Sequence, residues 1–429
     1  MAGSFQEFRY GWPVVVAAAI GIGLGMSPLP FYTIGVFAIS YQEAFGWGMG
    51  KTLSGLAVFT LTAFFMSPVI GYVADRVGVR KVILFSLVTF SLSMMAFGLN
   101  TSGSYTQYLV TWAIAAVFGV GTLPITWTRV VNGWFNERRG LALGCALLAT
   151  GIFGAFAKLF AAKMIELYGW QMAYVAVGAL PLVIALPIAW VAFRPVDDPR
   201  VAHRAERLKQ AAPSAVTAGT DGMPLKTALT DWRFWLLAYA FVPISFAVGG
   251  PIPNLEQIML SKGFDVDDAV FLATFIGYSV LVGRLVGGYL IDRFWAPGVA
   301  VIIMSLPALS CWMLQGADQT MLSAAVAVFI LGAAAGVEYD LMAFLVSKYF
   351  GLRNYSAIYG TLYAFFAAGA GFGPLIFGRA YDATGNYDPI LIYAGIALLA
   401  GAIPLIFLGK YRHFKGAEIV SDESSTAPT

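Results

Sequence analysis

Hydrophobic residues run through this chain in long stretches separated by short polar joints. Against a crossing length of about 20 residues, about twelve apolar runs stand out. They lie near 11–38, 53–74, 82–100, 106–133, 140–165, 172–193, 233–257, 268–291, 297–316, 320–346, 356–379 and 387–409. A backbone in hydrocarbon must satisfy its polar groups internally, and runs of this length do so as helices. The pattern predicts an all-α membrane protein with twelve transmembrane helices. One long polar stretch interrupts it, which sets the expected organisation: an N-terminal six-helix bundle at 1–193, a cytoplasmic linker at 194–232, a C-terminal six-helix bundle at 233–409 and a cytoplasmic tail at 410–429. Within the linker, RVAHRAERLKQAA reads as a short basic helix and PSAVTAGTDGMP as flexible chain. The tail reads as disordered.

Composition sharpens this picture. Of 429 residues 59% are hydrophobic and 11% charged, whereas a soluble domain carries about a quarter charged residues. Mean hydropathy is +0.76. The opening MAGSFQEFRYGW has no short apolar core with a small-residue cleavage site, so the first run is expected to remain as a span. A net charge of +3, spread in bands and not patches, is too small to suggest a nucleic-acid partner, and none is expected. Cys145 and Cys311 lie inside apolar runs, which implies no disulfide framework. Arg76, Arg80, Lys81, Arg138, Arg139, Arg293, Lys348 and Arg353 fall on one side of the twelve-span arrangement, with the basic residues of the linker and tail. The other side holds little beyond Lys51, Lys163, Lys262 and Arg379. That bias places both termini in the cytoplasm; a monomer in the plasma (inner) membrane is expected.

The two halves resemble each other. GYVADRVGVRK, from Gly71, ends the second run, and GYLIDRF, from Gly288, ends the eighth, about 217 residues later. WFNERRGLALG enters the fifth run and YFGLRNYSAIYG the eleventh at nearly the same offset. Two landmarks sharing one offset indicate internal duplication, a plan that places a binding site between the halves.

Candidate chemistry centres on Arg284, in GYSVLVGRLVGGYLIDRF. Two helical turns, about 12 Å, separate it from Asp292 at the expected membrane surface. A lone arginine at that depth costs about 3 kcal/mol or more without a partner or a wet cavity, and its planar fork suits a carboxylate. The tenth run, GVEYDLMAFLVSKYF, supplies two acids at similar depth, Glu338 and Asp340. Two residues apart, they point to opposite sides of a helix, so at most one meets Arg284. Asp340 shares its stripe with Gly332, Gly336, Ala343 and Ser347, small residues that suit a close or wet contact; the Glu338 stripe is greasier. Either acid would carry a proton if it were released from the arginine when substrate binds. The alternative is a static ion pair that braces two helices.

Other positions fill out the expected site. Tyr32, Trp127, Tyr278, Tyr339 and Tyr363 are candidates to line a cavity, suiting an aromatic or otherwise apolar body behind a carboxylate. Lys158 either lends a second cation or snorkels outward beside Lys163. Arg129, about 7 Å from the inner boundary, reads as a gate or snorkelling residue. Asp75 with Arg76 and Arg80, and Asp292 with Arg293, read as latches, since a carboxylate at a helix N-terminus is stabilised by the dipole. Pro243, Gly249, Gly250, Pro251 and Pro253 break the seventh run, which reads as a gating helix with Asn254 and Glu256 near its outer mouth. His203 and His413 are placed outside the bilayer. No phosphate-binding loop, nucleophile, metal cluster or cofactor motif is present, so an enzyme is not expected, nor any cofactor.

The pattern Gly-x-x-x-Asp-Arg-x-Gly-x-Arg-Lys at Gly71, Asp75, Arg76, Gly78, Arg80 and Lys81, with its weaker copy at Gly288, Asp292 and Arg293, resembles the loop signature of the major facilitator superfamily. YGW at 10–12, EAFGW at 43–47, WFNERRGLALG, DWRFWLL from Asp231 and YDATGNY from Tyr381 resemble its monocarboxylate porter and oxalate-formate antiporter branch. The resemblance implies secondary transport by alternating access, with the eighth-span arginine, here Arg284, meeting a substrate carboxylate. Three features depart from the branch. The first span lacks a lysine in SPLPFYTIGVF, Val280 stands where an aspartate is common, and the eleventh span lacks a second cation. Those departures disfavour a dicarboxylate held between two cations. The expectation is proton-coupled uptake of a small organic monocarboxylate, with that anion and protons as partners. The alternative is a proton-coupled efflux antiporter for apolar or cationic compounds.

Overall fold

The computed structural model describes residues 6–47, 49–211, 221–316, 319–412, 414–415 and 418–419. His413, the 212–220 part of the linker and the tail from 420 onward lie outside them. Before the linker the helices are α1 (Gln6–Gly23), α2 (Leu29–Phe45), α3 (Met49–Val77), α4 (Val79–Ala96), α5 (Tyr105–Gly119), α6 (Pro124–Trp134), α7 (Arg139–Leu180) and α8 (Leu186–Ala192). The linker holds α9 (Ala202–Ala211), the expected basic helix, and α10 (Leu225–Thr230). After it come α11 (Trp232–Gly249), α12 (Pro251–Ser261), α13 (Val266–Arg293), α14 (Ala296–Met313), α15 (Met321–Phe350), α16 (Tyr355–Thr384) and α17 (Asp388–Ala402). A two-residue ladder pairs Phe414–Lys415 with Glu418–Ile419.

Ten helices among the described residues are long and apolar enough to cross a membrane. One of them, Arg139–Ala192, has 54 residues, about 80 Å if straight. It turns at Gly169, whose φ of 80° and ψ of 165° are non-helical, so it supplies the fifth and sixth apolar runs as two limbs. The first run differs from a single span: it is split into α1 and α2 around 24–28. Pro28 and Pro30 have no amide hydrogen to donate, and the freed Met26 amide donates to Thr122 Oγ1 at 2.9 Å. The seventh run breaks between α11 and α12, where Asn254 Nδ2 donates to the Gly250 carbonyl at 2.9 Å and the Pro374 carbonyl at 3.3 Å.

Small residues let backbones approach where apolar side chains would hold them apart. Between halves, α3 packs on α16 and α7 on α13. A Cβ built on Gly71 would sit 2.1 Å from the Ser356 carbonyl, and one on Gly288 would sit 2.6 Å from the Gly140 carbonyl. Within the second half, α13 and α15 meet just as closely, at Gly283 against Ala333 and Gly336 against Val280. That last approach brings the side chains of Arg284 and Asp340 within reach of each other.

Gly336→Ala places its Cβ 2.3 Å from the Val280 carbonyl. It is expected to lower the melting temperature of the purified protein through an overpacking cost of about 1–3 kcal/mol. Gly35→Ala, with nothing within 4 Å, is expected to leave melting unchanged or raise it.

Candidate functional site

Arg284 and Asp340 lie almost fully inside the protein, with 5% and 0% of their surfaces exposed. Arg284 Nη1 donates to Asp340 Oδ1 at 3.3 Å. This is a one-point contact. Arg284 Nε and Asp340 Oδ2 are buried without a hydrogen-bond partner among the described residues, although a guanidinium and a carboxylate can pair through two parallel bonds. The first half closes on this pair through Gly144 of α7, where a Cβ would lie 2.7 Å from the Arg284 carbonyl and 3.4 Å from Asp340 Oδ2.

Toward the end opposite the basic residues, the gap between halves widens. Leu281 still faces Gly151 across the seam, but a Cβ on Gly277, one heptad before Arg284 and on its face, would meet nothing within 4 Å among the described residues. Tyr32 of α2 packs its ring against Gly154, is 44% exposed and interacts electrostatically with Arg284.

The other expected residues separate by position. Glu338 is buried on the side of α15 opposite Asp340, and its Oε1 has no partner among the described residues. Tyr339 and Tyr363 form one aromatic cluster with Phe366, the Tyr339 ring lying 6.1 Å from Tyr363 and 4.7 Å from Phe366. Lys158 is exposed on the Gly144–Gly151 face of α7, but about 21 Å of helix rise beyond Gly144, too far for its amine to touch the pair. Trp127 does not line the opening. It is fully buried in the first half, donating to the Thr122 carbonyl at 3.1 Å and packing on Phe193 and Gly21. Nor does Tyr278 face Arg284: it belongs to an exposed apolar stripe with Phe271, Val282, Leu285 and Tyr289, about 120° around the helix.

Three of the expected gating residues join the halves. Asp75 at the end of α3 accepts from the Ala357 amide at 2.8 Å and the Ser356 amide at 3.3 Å, the open N-terminus of α16. Asp292 at the end of α13 accepts from the Gly140 and Leu141 amides of α7 at 2.6 and 2.9 Å. Arg129 pairs with Asp75 at 3.5 Å and reaches the Leu352 carbonyl of the other half. The remaining three act elsewhere. Arg80 donates to the Phe193 and Trp190 carbonyls at 3.0 and 2.6 Å and so braces its own half. Arg76 lies over Tyr72, and Arg293 is exposed.

Residues outside the sequence-based expectation complete the site. Arg139 is buried at the seam and donates to Ser347 Oγ at 2.9 Å. Tyr359 of α16 interacts electrostatically with Asp340 and Arg284. Its place was signalled by the four-residue spacing of Tyr355, Tyr359 and Tyr363, which sets them on one face. A cavity of about 250 Å³ opens at the latch, lined by Asn136, Glu137, Asp292, Phe344, Lys348 and Tyr411 among others. It is separate from the Arg284 pair.

Comparison with known proteins agrees with this architecture. The sequence profile of the Major Facilitator Superfamily matches residues 14–374. Monocarboxylate transporter 9 of Gallus gallus is 25% identical, the alignment covering 92% of each chain. Monocarboxylate transporter 13 of Rattus norvegicus is 28% identical over 94% of this chain and 90% of its own. Among solved structures, the E. coli fucose:proton symporter FucP has a TM-score of 0.68 at 16% identity, covering 94% of this chain and 99% of that one.

Asp292→Ala removes both bonds to the α7 N-terminus. In a Cys145→Ser, Cys311→Ser background, it is expected to raise labelling of Ser347→Cys by a membrane-impermeant maleimide about fivefold, the size of a lost charge-assisted bond or two after water replaces it. Unchanged labelling would mean the carboxylate does not hold this seam shut.

Proposed function

The chain belongs to the Major Facilitator Superfamily, and we propose that it carries a small organic monocarboxylate into the cytoplasm together with protons, by alternating access. It is a transporter and not an enzyme, and its helices make it a multi-pass integral membrane protein. The observation that carries the finer reading is the one-point contact of Arg284 with Asp340 beneath an open gap. A substrate carboxylate entering that gap finds a guanidinium whose Nε–H has no acceptor among the described residues, and it takes the bidentate place that Asp340 leaves unfilled.

Asp340 is then a buried carboxylate without its cation. A negative charge at that depth is costly, so it takes a proton. The loaded site thus holds a neutralised arginine and a neutral acid, a combination that crosses the cycle more cheaply than either alone. Tyr32 and Tyr359, which interact electrostatically with the arginine, suit a substrate with an aromatic or apolar body. The latched basic end and the widening opposite it describe the stage open to the outside, when the basic end is taken as cytoplasmic. The names of the relatives, monocarboxylate transporters, support the anion; that of the structural neighbour, a fucose:proton symporter, concerns its own cargo.

A second reading is a proton-coupled efflux antiporter for apolar or cationic compounds. Its specific support is Glu338, a buried acid whose Oε1 lacks a partner among the described residues.

Purified protein in liposomes is expected to show saturable uptake of a monocarboxylate such as benzoate or lactate, stimulated by an inward proton gradient. Arg284→Lys is expected to cut uptake about tenfold or more, since a point charge does not replace the planar fork. Asp340→Asn is expected to retain carboxylate exchange and lose the stimulation by the gradient. Equal uptake with and without a gradient in the unaltered protein would remove the coupling, and gradient-driven flux of organic cations would favour the second reading.

A further inference from the structure

The latch carboxylates grip two helix N-termini, and each of those termini is itself held from behind. In the first half, the loop just before α7 offers three backbone amides to one buried side chain. Asn136 and Glu137 donate to Glu7 Oε1 at 3.0 and 3.1 Å, and Arg138 donates to Glu7 Oε2 at 2.9 Å. Glu7 lies in the first turn of α1 and is fully buried. In the second half, the loop just before α16 offers the corresponding amides to the linker. Leu352 and Arg353 donate to the Asp221 carbonyl at 2.7 and 3.2 Å, and Met223 donates back to the Phe350 carbonyl at 2.8 Å.

The two arrangements obey the repeat. Asn136 and Leu352 are 216 positions apart, as are Gly140 and Ser356, while Asp75 and Asp292 are 217 apart. In both halves, then, the segment that enters the first helix of the half fastens the loop whose helix the opposite half's aspartate holds. The first half uses a carboxylate for this and the second a main-chain carbonyl. Main-chain pairing in the second half requires close approach: Gly222 bridges Gly351, both have positive φ at 142° and 74°, and a Cβ on Gly351 would sit 2.5 Å from the Gly222 Cα. Arg412, just beyond the last span, secures the strap by pairing with Asp231 and lying 3.0 Å from Met223 Sδ.

We propose that Glu7 and the Asp221–Met223 strap are positioning elements of the inner gate. They hold each amide nest in the geometry that its latch aspartate recognises, so that loosening either one shifts the transporter away from the state closed at this end. Two ordered amides aimed at one carboxylate form a good anion-binding donor site only while their loop is fixed. Through Glu7 and the strap, the N-terminal segment and the linker become parts of the gating machinery. The inference rests on the alternating-access part of the function proposed above and not on its cargo.

The test needs no substrate. In the Cys145→Ser, Cys311→Ser background, Gly277→Cys sits in the open gap, where nothing lies within 4 Å, and reports that opening through its rate of labelling by an impermeant maleimide. Glu7→Gln and Gly222→Ala are each expected to slow this labelling about fivefold, as a lost charge-assisted or main-chain bond would shift a two-state equilibrium, and to raise labelling of Ser347→Cys in parallel. Glu7→Asp, which keeps the charge, is expected to restore part of the rate. Asp221→Ala is expected to match the parent, because the strap uses the main-chain carbonyl. Unchanged labelling in both Glu7→Gln and Gly222→Ala overturns the proposal, as does an Asp221→Ala effect equal to that of Gly222→Ala. Should Glu7→Gln fail to reach the membrane, Gly222→Ala decides the matter from the other half. Because labelling is read without cargo, a failed carboxylate uptake assay leaves this result standing, and the reverse also holds.

Discussion

A charge taken out of water must have a partner, and this protein is built around carboxylates whose partners differ in permanence. Glu7 has three backbone amides within its own half. Asp75 and Asp292 have amides that belong to the opposite half. Asp340 has a single guanidinium contact within its half, at the seam with the other. Ordered by how many bonds hold them and by which half supplies them, these groups run from fixed to exchangeable. A buried ion pair is weak evidence for stability, since desolvation offsets much of the attraction. An incompletely satisfied pair is better understood as a site awaiting a third group.

Glycine decides where such pairs are possible. Arg284 meets Asp340 because Gly283 and Gly336 let α13 and α15 touch main chain to main chain, and Gly144 lets α7 close over them without filling the space. The latches follow the same logic: Asp75 reaches the Ser356 and Ala357 amides because Gly71 allows α3 to lie against the Ser356 carbonyl. A bulkier residue at any of these positions would push the helices apart and with them the charges they bring together. In a membrane, where apolar side chains gain little from meeting each other, this close approach carries much of the helix association.

Much of this was legible in the residues. Twelve apolar runs, the duplicated Gly-x-x-x-Asp-Arg landmarks and the out-of-place Arg284 follow from hydropathy and spacing, because the cost of a polar group in lipid makes each exception visible. The opposed faces of Glu338 and Asp340 were also readable from helical spacing. What spacing does not supply is which face of each helix turns toward which neighbour. Trp127 and Tyr278 looked like cavity residues by type and depth, yet one packs inside its bundle and the other lies on an exposed stripe. Arg80 belongs to the same signature as Asp75, but its reach is to Trp190 and Phe193 within the half. Glu7 gave no signal at all, because the amides it holds are main chain and lie about 130 residues away.

The strength of the latches constrains the rest of the cycle. Four amide–carboxylate bonds, at Gly140, Leu141, Ser356 and Ala357, each contribute about 1.5–3 kcal/mol net of the bonds to water they replace. A bias of even about 5.5 kcal/mol would leave the opposite state under one part in a hundred after correction by any substrate of modest differential affinity. A working transporter therefore needs a counterweight of similar size at the other end. Asn254, which ties the break between α11 and α12 to the Pro374 carbonyl in α16, acts within the second half, so the counterweight has to come from contacts between the halves. The site between the two ends then has to tip a near balance, and exchanging one contact of Arg284 for two is a change of the right order.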